Sequence, residues 1–177
     1  MPQPCESALD VGCGDGVLLP KLAQRAKQVT GIDVSPDMIS RARENADRVN
    51  VRCVVGDFLS YPLPAGGCDF IVAAAVLHHM PLEPALIRCA ELLGHGGVLA
   101  VVGLARNTSV FDYVLSAAAV PAIQITHLKR GFWESPAPKR DPEMSFTQIR
   151  TVAARILPGM DMRRRLYYRY TILLRKS

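Results

Sequence analysis

The sequence lacks the features of a membrane protein, a secreted protein or a disulfide-bonded scaffold. No apolar run reaches the roughly 18 residues that a spanning helix requires, and the first residues lack the basic and apolar regions of a signal peptide. The five cysteines are scattered, odd in number and without a Cys-x-x-Cys pair, and four lie in or beside apolar runs, where a thiol acts as a small hydrophobe. These absences predict a reduced, cytoplasmic protein with no membrane partner.

The length and charge of the chain predict one domain with an unequal distribution of charge. A chain of 177 residues fits a single domain, 1–177, with a core large enough to fold without disulfides or metals. The net charge is +5, but residues 128–177 carry 12 Lys and Arg against 4 Asp and Glu. Such a basic segment fits a solvated strand face, an anionic small substrate or a nucleic acid. We favour the strand face, and nucleic acid is the least favoured of the three.

Short apolar runs alternate with helical patterns through the first hundred residues, which predicts an α/β domain with a parallel sheet. A second, less regular part follows, in which segment 106–145 is a candidate insert on the substrate side. No repeat or linker divides the chain. The predicted strands are 8–11, 28–33, 51–55, 68–76 and 98–102, with a strand-like stretch at 160–176. The predicted helices are 16–27, one that starts at Ser35-Pro36, 82–93, 109–125 and 145–157, and a loop is expected at 131–142.

A glycine-rich loop follows the first predicted strand and opens a helix. The segment reads Leu-Asp-Val-Gly-Cys-Gly-Asp-Gly over residues 9–16, and Asp33 closes the second strand, where a carboxylate can accept from both hydroxyls of a ribose. A dinucleotide fold would place its third glycine one residue later. The carboxylates of Asp10 and Asp15 would repel a pyrophosphate but attract a ligand with ammonium and sulfonium groups. The loop therefore favours S-adenosylmethionine over a dinucleotide.

At these residues the sequence resembles the class I S-adenosylmethionine-dependent methyltransferases. The resemblance covers about residues 7–104, and four motifs follow four successive strands. It implies a doubly wound, mostly parallel seven-stranded sheet with helices on both faces, S-adenosylmethionine as cofactor and S-adenosylhomocysteine as product. It also implies that the motifs meet in one crevice, where the cofactor-binding residues would be Asp10, Gly12, Cys13, Gly14, Asp33, Val34, Met38, Gly56, Asp57, Phe58, Ala74 and Ala75.

The reacting groups are less clearly marked than the cofactor site. His78 and His79 follow the fourth strand and are the candidates for a general base, since an imidazole titrates near neutral pH. Adjacent histidines without nearby ligands at a usable spacing do not predict a metal site. No Asn/Asp-Pro-Pro-aromatic segment follows that strand, which argues against base-amino and glutamine acceptors. We expect methyl transfer to an O, N or C atom of a small molecule.

Two other functions stay open at this point. The basic C-terminal segment allows an RNA methyltransferase, and the short stretch before the first strand allows a cofactor-binding subunit without activity of its own. Members of the resembled family carry one or two helices there, whereas about seven residues precede the strand here. We expect the native reading frame to begin upstream. The sequence allows a homodimer but does not specify the oligomeric state.

Overall fold

A single sheet of seven strands organises the protein. The computed structural model describes residues 1–106, 141–166 and 168–177. The strand order is β3-β2-β1-β4-β5-β7-β6, with β1 to β5 parallel and β6 and β7 antiparallel to their neighbours. The strands are β1 Ser7–Val11, β2 Gln28–Asp33, β3 Val51–Val55, β4 Cys68–Ala74, β5 Leu93–Leu104, β6 Asp161–Arg164 and β7 Arg169–Arg175. The predicted doubly wound, mostly parallel seven-stranded sheet is confirmed.

Helices cover both faces of the sheet. They are α1 Leu19–Ala23, α2 Pro36–Asn45, α3 Leu82–Leu92 and α4 Phe146–Ile156, with a short 3-10 helix at Leu77–His79. Buried side chains of α1 and α2 form one core cluster with the sheet, and those of α3 and α4 form the other. Two N-termini follow their sequence signals: Ser35 Oγ accepts from Met38 N in α2, and Ser145 and Gln148 form a capping box in α4.

Three predicted boundaries were wrong. The helix predicted at 16–27 spans only Leu19–Ala23. Pro20 is confined to the first turn of a helix, which fixes its start. At its end, the side-chain amide of Asn50 donates to the carbonyls of Ala23, the last helical residue, and of Ala26. Strand β4 ends at Ala74 rather than 76, since Ala75 has a positive φ of 55°. Strand β5 begins at Leu93 rather than 98, because Leu93 pairs with Cys68 of β4 and residues 94–97 form a bulge before the pairing resumes at Val98.

The helix predicted at 109–125 and most of the loop predicted at 131–142 lie outside the described residues, so the substrate-side insert stays a prediction. Within the described part of the chain, no helix is long and apolar enough to cross a membrane. All five cysteines are free thiols, and all but Cys53 are buried.

Candidate active site

The carboxyl ends of three adjacent strands bring the predicted motifs together. Val11 of β1 pairs with Ile32 of β2 on one side and Ala73 of β4 on the other. The glycine loop, Asp33 and the segment after β4 therefore leave the sheet at the same edge. On the far side of β2, Asp33 pairs with Val55 of β3, so the Gly56-Asp57 motif follows at that edge too. The predicted convergence of four motifs at one edge is present.

The glycine loop has two positions that only glycine fits well. Gly12 has a φ of +63°, and a Cβ there would lie 2.1 Å from Val76 Cγ2, so the loop packs directly against the segment after β4. Gly14 has a φ of +54°, but a Cβ there would meet nothing within 4 Å. The backbone at Gly14 thus faces open space that a side chain would begin to fill, which is the geometry of a ligand cradle.

Asp10 lies under this loop and is only 2% exposed. Burial, together with the charge of Asp33, raises the pKa of its carboxyl from 3.8 to about 7. Its Oδ2 is buried and has no hydrogen-bond partner among the described residues. A buried carboxylate of this kind is stabilised by a cation, and the cationic methionine end of S-adenosylmethionine supplies one. The residues at this end of the crevice therefore fit that ligand.

The carboxylate of Asp33 connects the first two motifs. Its Oδ2 accepts from the backbone N–H of Gly14 at 3.0 Å, and its Oδ1 accepts from that of Ser35 at 2.9 Å. Each carboxylate oxygen can accept more than one bond, so both can also receive a ribose hydroxyl. Asp33 thereby fixes the loop beside the position where the resemblance places the sugar.

The residues expected around adenine differ in exposure. Val34 is apolar and 67% exposed, so its side chain is accessible to a ligand. Asp57 is exposed, and its Oδ1 caps the following turn by accepting from Leu59 N at 3.0 Å. Met38 is buried, and Phe58 is 3% exposed within the larger core cluster, so both have packing roles. Their contacts with adenine stay predictions, as does that of Gly56, which donates its N–H to the Asp33 carbonyl.

The cofactor contacts predicted for Cys13, Ala74 and Ala75 stay predictions, and the structure shows how these residues hold the loop and the end of β4. The Cys13 thiol is buried against Gly31, and burial raises its pKa. Its backbone N–H donates to the Ile32 carbonyl at 3.1 Å, which ties the loop to β2. Ala74 ends β4, and Ala75 has the left-handed φ noted above, while its N–H donates to the Val102 carbonyl at 2.7 Å. A strained non-glycine residue of this kind is a frequent mark of a functional turn.

The two histidines after β4 have different surroundings. Their rings are 4.1 Å apart between centroids and inclined by 41°. His78 lines a cavity of about 140 Å³ that also involves Leu104, Met144 and Tyr170. His79 is exposed and is absent from the lining of that cavity. The structure therefore separates two candidates that the sequence could not distinguish.

The cavity was not predicted, because its walls come from distant parts of the chain. Tyr170 of β7 pairs with Gly103 of β5, and a Cβ at Gly103 would lie 2.2 Å from the Tyr170 ring. Met144 is brought in by its carbonyl, which accepts from Arg106 N at 2.8 Å. The alternation of apolar residues along β7 indicates on which face of the sheet the Tyr170 side chain lies. Nothing local indicates that Gly103 lies beneath it.

Within the basic segment 128–177, the described strands β6 and β7 pair antiparallel. Its three consecutive arginines have partners within this part of the fold, which fits the favoured interpretation of a strand face. Arg163 Nε lies 2.8 Å from an Asp161 carboxylate oxygen, the Arg164 guanidinium lies 4.5 Å from the centre of the Phe146 ring, and Arg165 Nε donates to Thr171 Oγ1 at 3.1 Å.

Comparison with known proteins places this geometry among methyltransferases. Residues 9–101 match the model of a family described as a methyltransferase domain. An uncharacterized methyltransferase of Mycobacterium tuberculosis is 33% identical over 177 residues, which is 99% of this chain and 89% of that protein. A ubiquinone biosynthesis O-methyltransferase of Xanthomonas campestris is 36% identical over 120 residues, covering 65% of this chain and half of that protein.

Solved structures share the fold at lower identity. The YcgJ protein of Bacillus subtilis superposes with a TM-score of 0.67 at 19% identity, over 91% of this chain and 65% of that one. The N-methyltransferase NodS of Bradyrhizobium japonicum, solved with S-adenosyl-L-homocysteine, superposes with a TM-score of 0.65 at 19% identity, over 98% of this chain and 79% of that one. At these identities the likeness concerns the fold alone.

Proposed function

Because the chain belongs to the class I S-adenosylmethionine-dependent methyltransferase family, we propose that it transfers a methyl group to an oxygen, nitrogen or carbon atom of a small molecule. S-adenosylmethionine is the methyl donor and S-adenosylhomocysteine the product. The donor already carries an activated methyl group, so the protein's task is to hold the two partners together and to accept a proton where the acceptor must lose one.

One observation carries the small-molecule proposal: a cavity lies on the far side of the segment that packs against the glycine loop. Val76 contacts Gly12, while the next two residues, Leu77 and His78, line the cavity. The same short segment therefore borders both the cofactor crevice and a concave space. A cavity of about 140 Å³ suits a small molecule rather than a polymer. The relatives named O-methyltransferases support an oxygen acceptor within this class.

We assign the cofactor-binding residues by their position in the crevice. Asp10 faces the cationic methionine end, Gly12 and Gly14 line it, and Asp33 holds the ribose hydroxyls. Val34 and Asp57 contact the adenine. Gly14 and Asp33 act together, because the hydrogen bond between them fixes the loop only while the carboxylate is present.

Calorimetric titration of the purified protein with S-adenosylmethionine, and separately with NAD, tests the cofactor assignment. We expect binding of S-adenosylmethionine only. Two bonds to a charged carboxylate contribute about 3 kcal/mol, so Asp33→Ala should weaken binding by about 100-fold. Asp47→Ala is the matched control, since Asp47 is exposed beyond the end of α2. Binding of NAD, or equal affinity of the two variants, would contradict the assignment.

Incubation with a panel of small acceptors, with S-adenosylhomocysteine release as the readout, tests the activity. Release that depends on one acceptor supports the proposal. Binding of S-adenosylmethionine without release for any small acceptor, together with release on RNA, would replace it with the RNA alternative. Binding without release on either would favour the subunit interpretation.

A further inference from the structure

One face of β7 and its two neighbouring strands lies on the same side of the sheet as α1 and α2. Those two helices pack on β2 and β3, whereas α3 and α4 cover the opposite side. The odd-numbered residues 169–175 of β7 alternate with its buried residues, so they point away from α3 and α4. Their partners in β5 and β6 share this side, because directly paired residues of antiparallel strands face the same way. We call these residues together the β7 face.

The β7 face and the turn at its end expose large apolar side chains. Leu173 is 52% exposed and Val102 is 37% exposed, and in the turn between β6 and β7 Leu166 and Tyr168 are 45% and 50% exposed. These are four of the nine large hydrophobic side chains that are exposed in the described part of the chain. The Tyr168 carbonyl accepts from Ala105 N at 2.7 Å, which fixes the turn at the end of β5. Clustered apolar side chains of this kind mark an interaction surface.

The same face carries positive charge that other side chains leave uncompensated. Arg169 and Arg175 lie at the two ends of β7, about 20 Å apart over six residues of strand, and both are exposed. Within the described residues, neither guanidinium group has a hydrogen bond or an ion pair. Asp161, the acidic residue of the face, already pairs with Arg163 at 2.8 Å. The face is therefore apolar in its middle and cationic at both ends.

This combination fits an anionic lipid bilayer better than the other partners of a basic surface. Arginine side chains bind lipid phosphates while aliphatic side chains enter the acyl boundary, and tyrosine is enriched at that depth. A nucleic acid would bind the arginines but gain little from leucine and valine, since it is held by charge and by stacking on aromatic rings. A second copy of the chain, related by a two-fold axis, would place arginine ends against arginine ends.

From these observations we propose that the protein docks on bilayers that contain anionic lipid, with the β7 face and the adjoining turn against the headgroups. The inference goes beyond the proposed function and does not depend on the acceptor. Arg169 pairs with Leu104 at the carboxyl end of β5, so docking brings the edge at which the four motifs leave the sheet close to the bilayer. The lack of a spanning run led us to expect no membrane partner, but docking on a bilayer surface requires no such run.

Sedimentation of the full chain with lipid vesicles tests the docking. The vesicles contain phosphatidylcholine alone or with about 30 mol% phosphatidylglycerol, in about 0.1 M NaCl. We expect binding to the anionic vesicles to be at least about tenfold tighter, since each of the two unpaired arginines contributes about fivefold near an anionic surface. This binding should fall steeply in about 0.5 M NaCl, because salt screens the attraction. Equal binding to both vesicles, or binding to neither, would overturn the proposal.

Two pairs of variants test whether the β7 face makes the contact. Arg169→Glu should weaken binding to the anionic vesicles by about 20-fold, whereas Arg150→Glu, the same change on exposed Arg150 of α4, should preserve it. Leu173→Ser should weaken it by about tenfold, whereas Ile87→Ser, on an exposed residue of α3, should preserve it. Leu166→Ser repeats the apolar test in the turn. An unchanged urea midpoint shows that a variant is folded.

The outcomes separate this inference from its alternatives and from the proposed function. Equal losses in the variants and their controls would overturn it. Tighter binding to single-stranded RNA than to the vesicles, or a loss in Arg169→Glu with none in either serine variant of the face, would overturn it in favour of a nucleic acid. Concentration-dependent dimerisation that Leu173→Ser weakens would overturn it in favour of a second copy. Vesicle binding by a protein that does not bind S-adenosylmethionine would support it and contradict the proposed function.

Discussion

Replacing Asp10 by asparagine should stabilise the ligand-free protein at alkaline pH. The folded state raises the pKa of this carboxyl from 3.8 to about 7, because its burial and the nearby Asp33 charge oppose ionisation. Between pH 3.8 and about pH 7, the Asp10 carboxyl holds a proton in the folded chain that it has released in the unfolded chain. The free energy of unfolding therefore falls as the pH rises through this window. At about 1.4 kcal/mol per unit, the full cost of ionising Asp10 is about 4 kcal/mol above pH 7.

The comparison between two pH values isolates this effect. At pH 5 the smaller part of the cost is present, and at pH 8 nearly all of it is, so the stability of Asp10→Asn relative to the wild type should improve by about 2–3 kcal/mol between them. Any packing or hydrogen-bond penalty of the asparagine amide is independent of pH and cancels in this difference. Urea denaturation of both proteins without ligand measures it.

Asp47→Asn serves as the control, since Asp47 is exposed and the same change there should give no difference between the two pH values. Asp10→Asn should also bind S-adenosylmethionine at least about tenfold more weakly than the wild type, because it loses the negative charge that faces the cationic end of the ligand. A stability difference that is the same at pH 5 and pH 8 would refute the reasoning, since Asp10 would then titrate alike in the folded and unfolded chains.

Three further predictions concern glycine and lysine positions. Gly14→Ala should lower the free energy of unfolding by about 1–2 kcal/mol through its positive φ, and it should weaken S-adenosylmethionine binding because the added methyl enters the cradle. Gly12→Ala should lower the stability more, because its methyl would overlap the Val76 side chain. Calorimetry for binding and urea titration for stability, carried out on both variants, distinguish these effects. Lys176→Met should lower the free energy of unfolding by about 2 kcal/mol, since the Lys176 ammonium donates at 2.7 Å to two carbonyls at the end of α3; an unchanged urea midpoint would contradict this. Gly103→Ala should displace the Tyr170 ring at a cost of about 1–3 kcal/mol, whereas an unchanged urea midpoint would show that the ring does not need this space.

The sheet was predictable because its strands carry strong local patterns. Buried parallel strands such as β4 are almost wholly apolar, and the N-caps at Ser35 and Ser145 are encoded within four residues. The lengths of α1 and β5 were not predictable from local patterns, because they depend on groups that are distant in the sequence. Asn50 accounts for the end of α1, and the pairing of Leu93 with Cys68 extends β5 across a bulge of residues 94–97, whose glycines locally favour a break.

The convergence of the four motifs followed from the sequence better than the cavity beside His78. Parallel strands bring their carboxyl ends to one edge, so motifs that follow such strands must meet, whatever lies between them. The sequence could not show that Phe58 is buried in the core or that His78, but not His79, lines the cavity. Both facts depend on which side a residue takes in a turn, which packing from α4 and β7 decides.

The position of β7 has a consequence for how the protein assembles during translation. β7 is the last strand in the chain, but it lies inside the sheet, between β5 and β6. The two antiparallel strands β6 and β7 are joined by four residues, so they can form a hairpin before they reach the sheet. Once the chain has been synthesised as far as residue 105, the five parallel strands could pair and bring the four motifs to one edge. The chain would still present β5 as an open edge, with the aggregation hazard of any unpaired strand. The strands that carry the four motifs thus precede the hairpin in synthesis as well as in sequence, and the arrival of the hairpin covers the edge of β5 and delivers Tyr170.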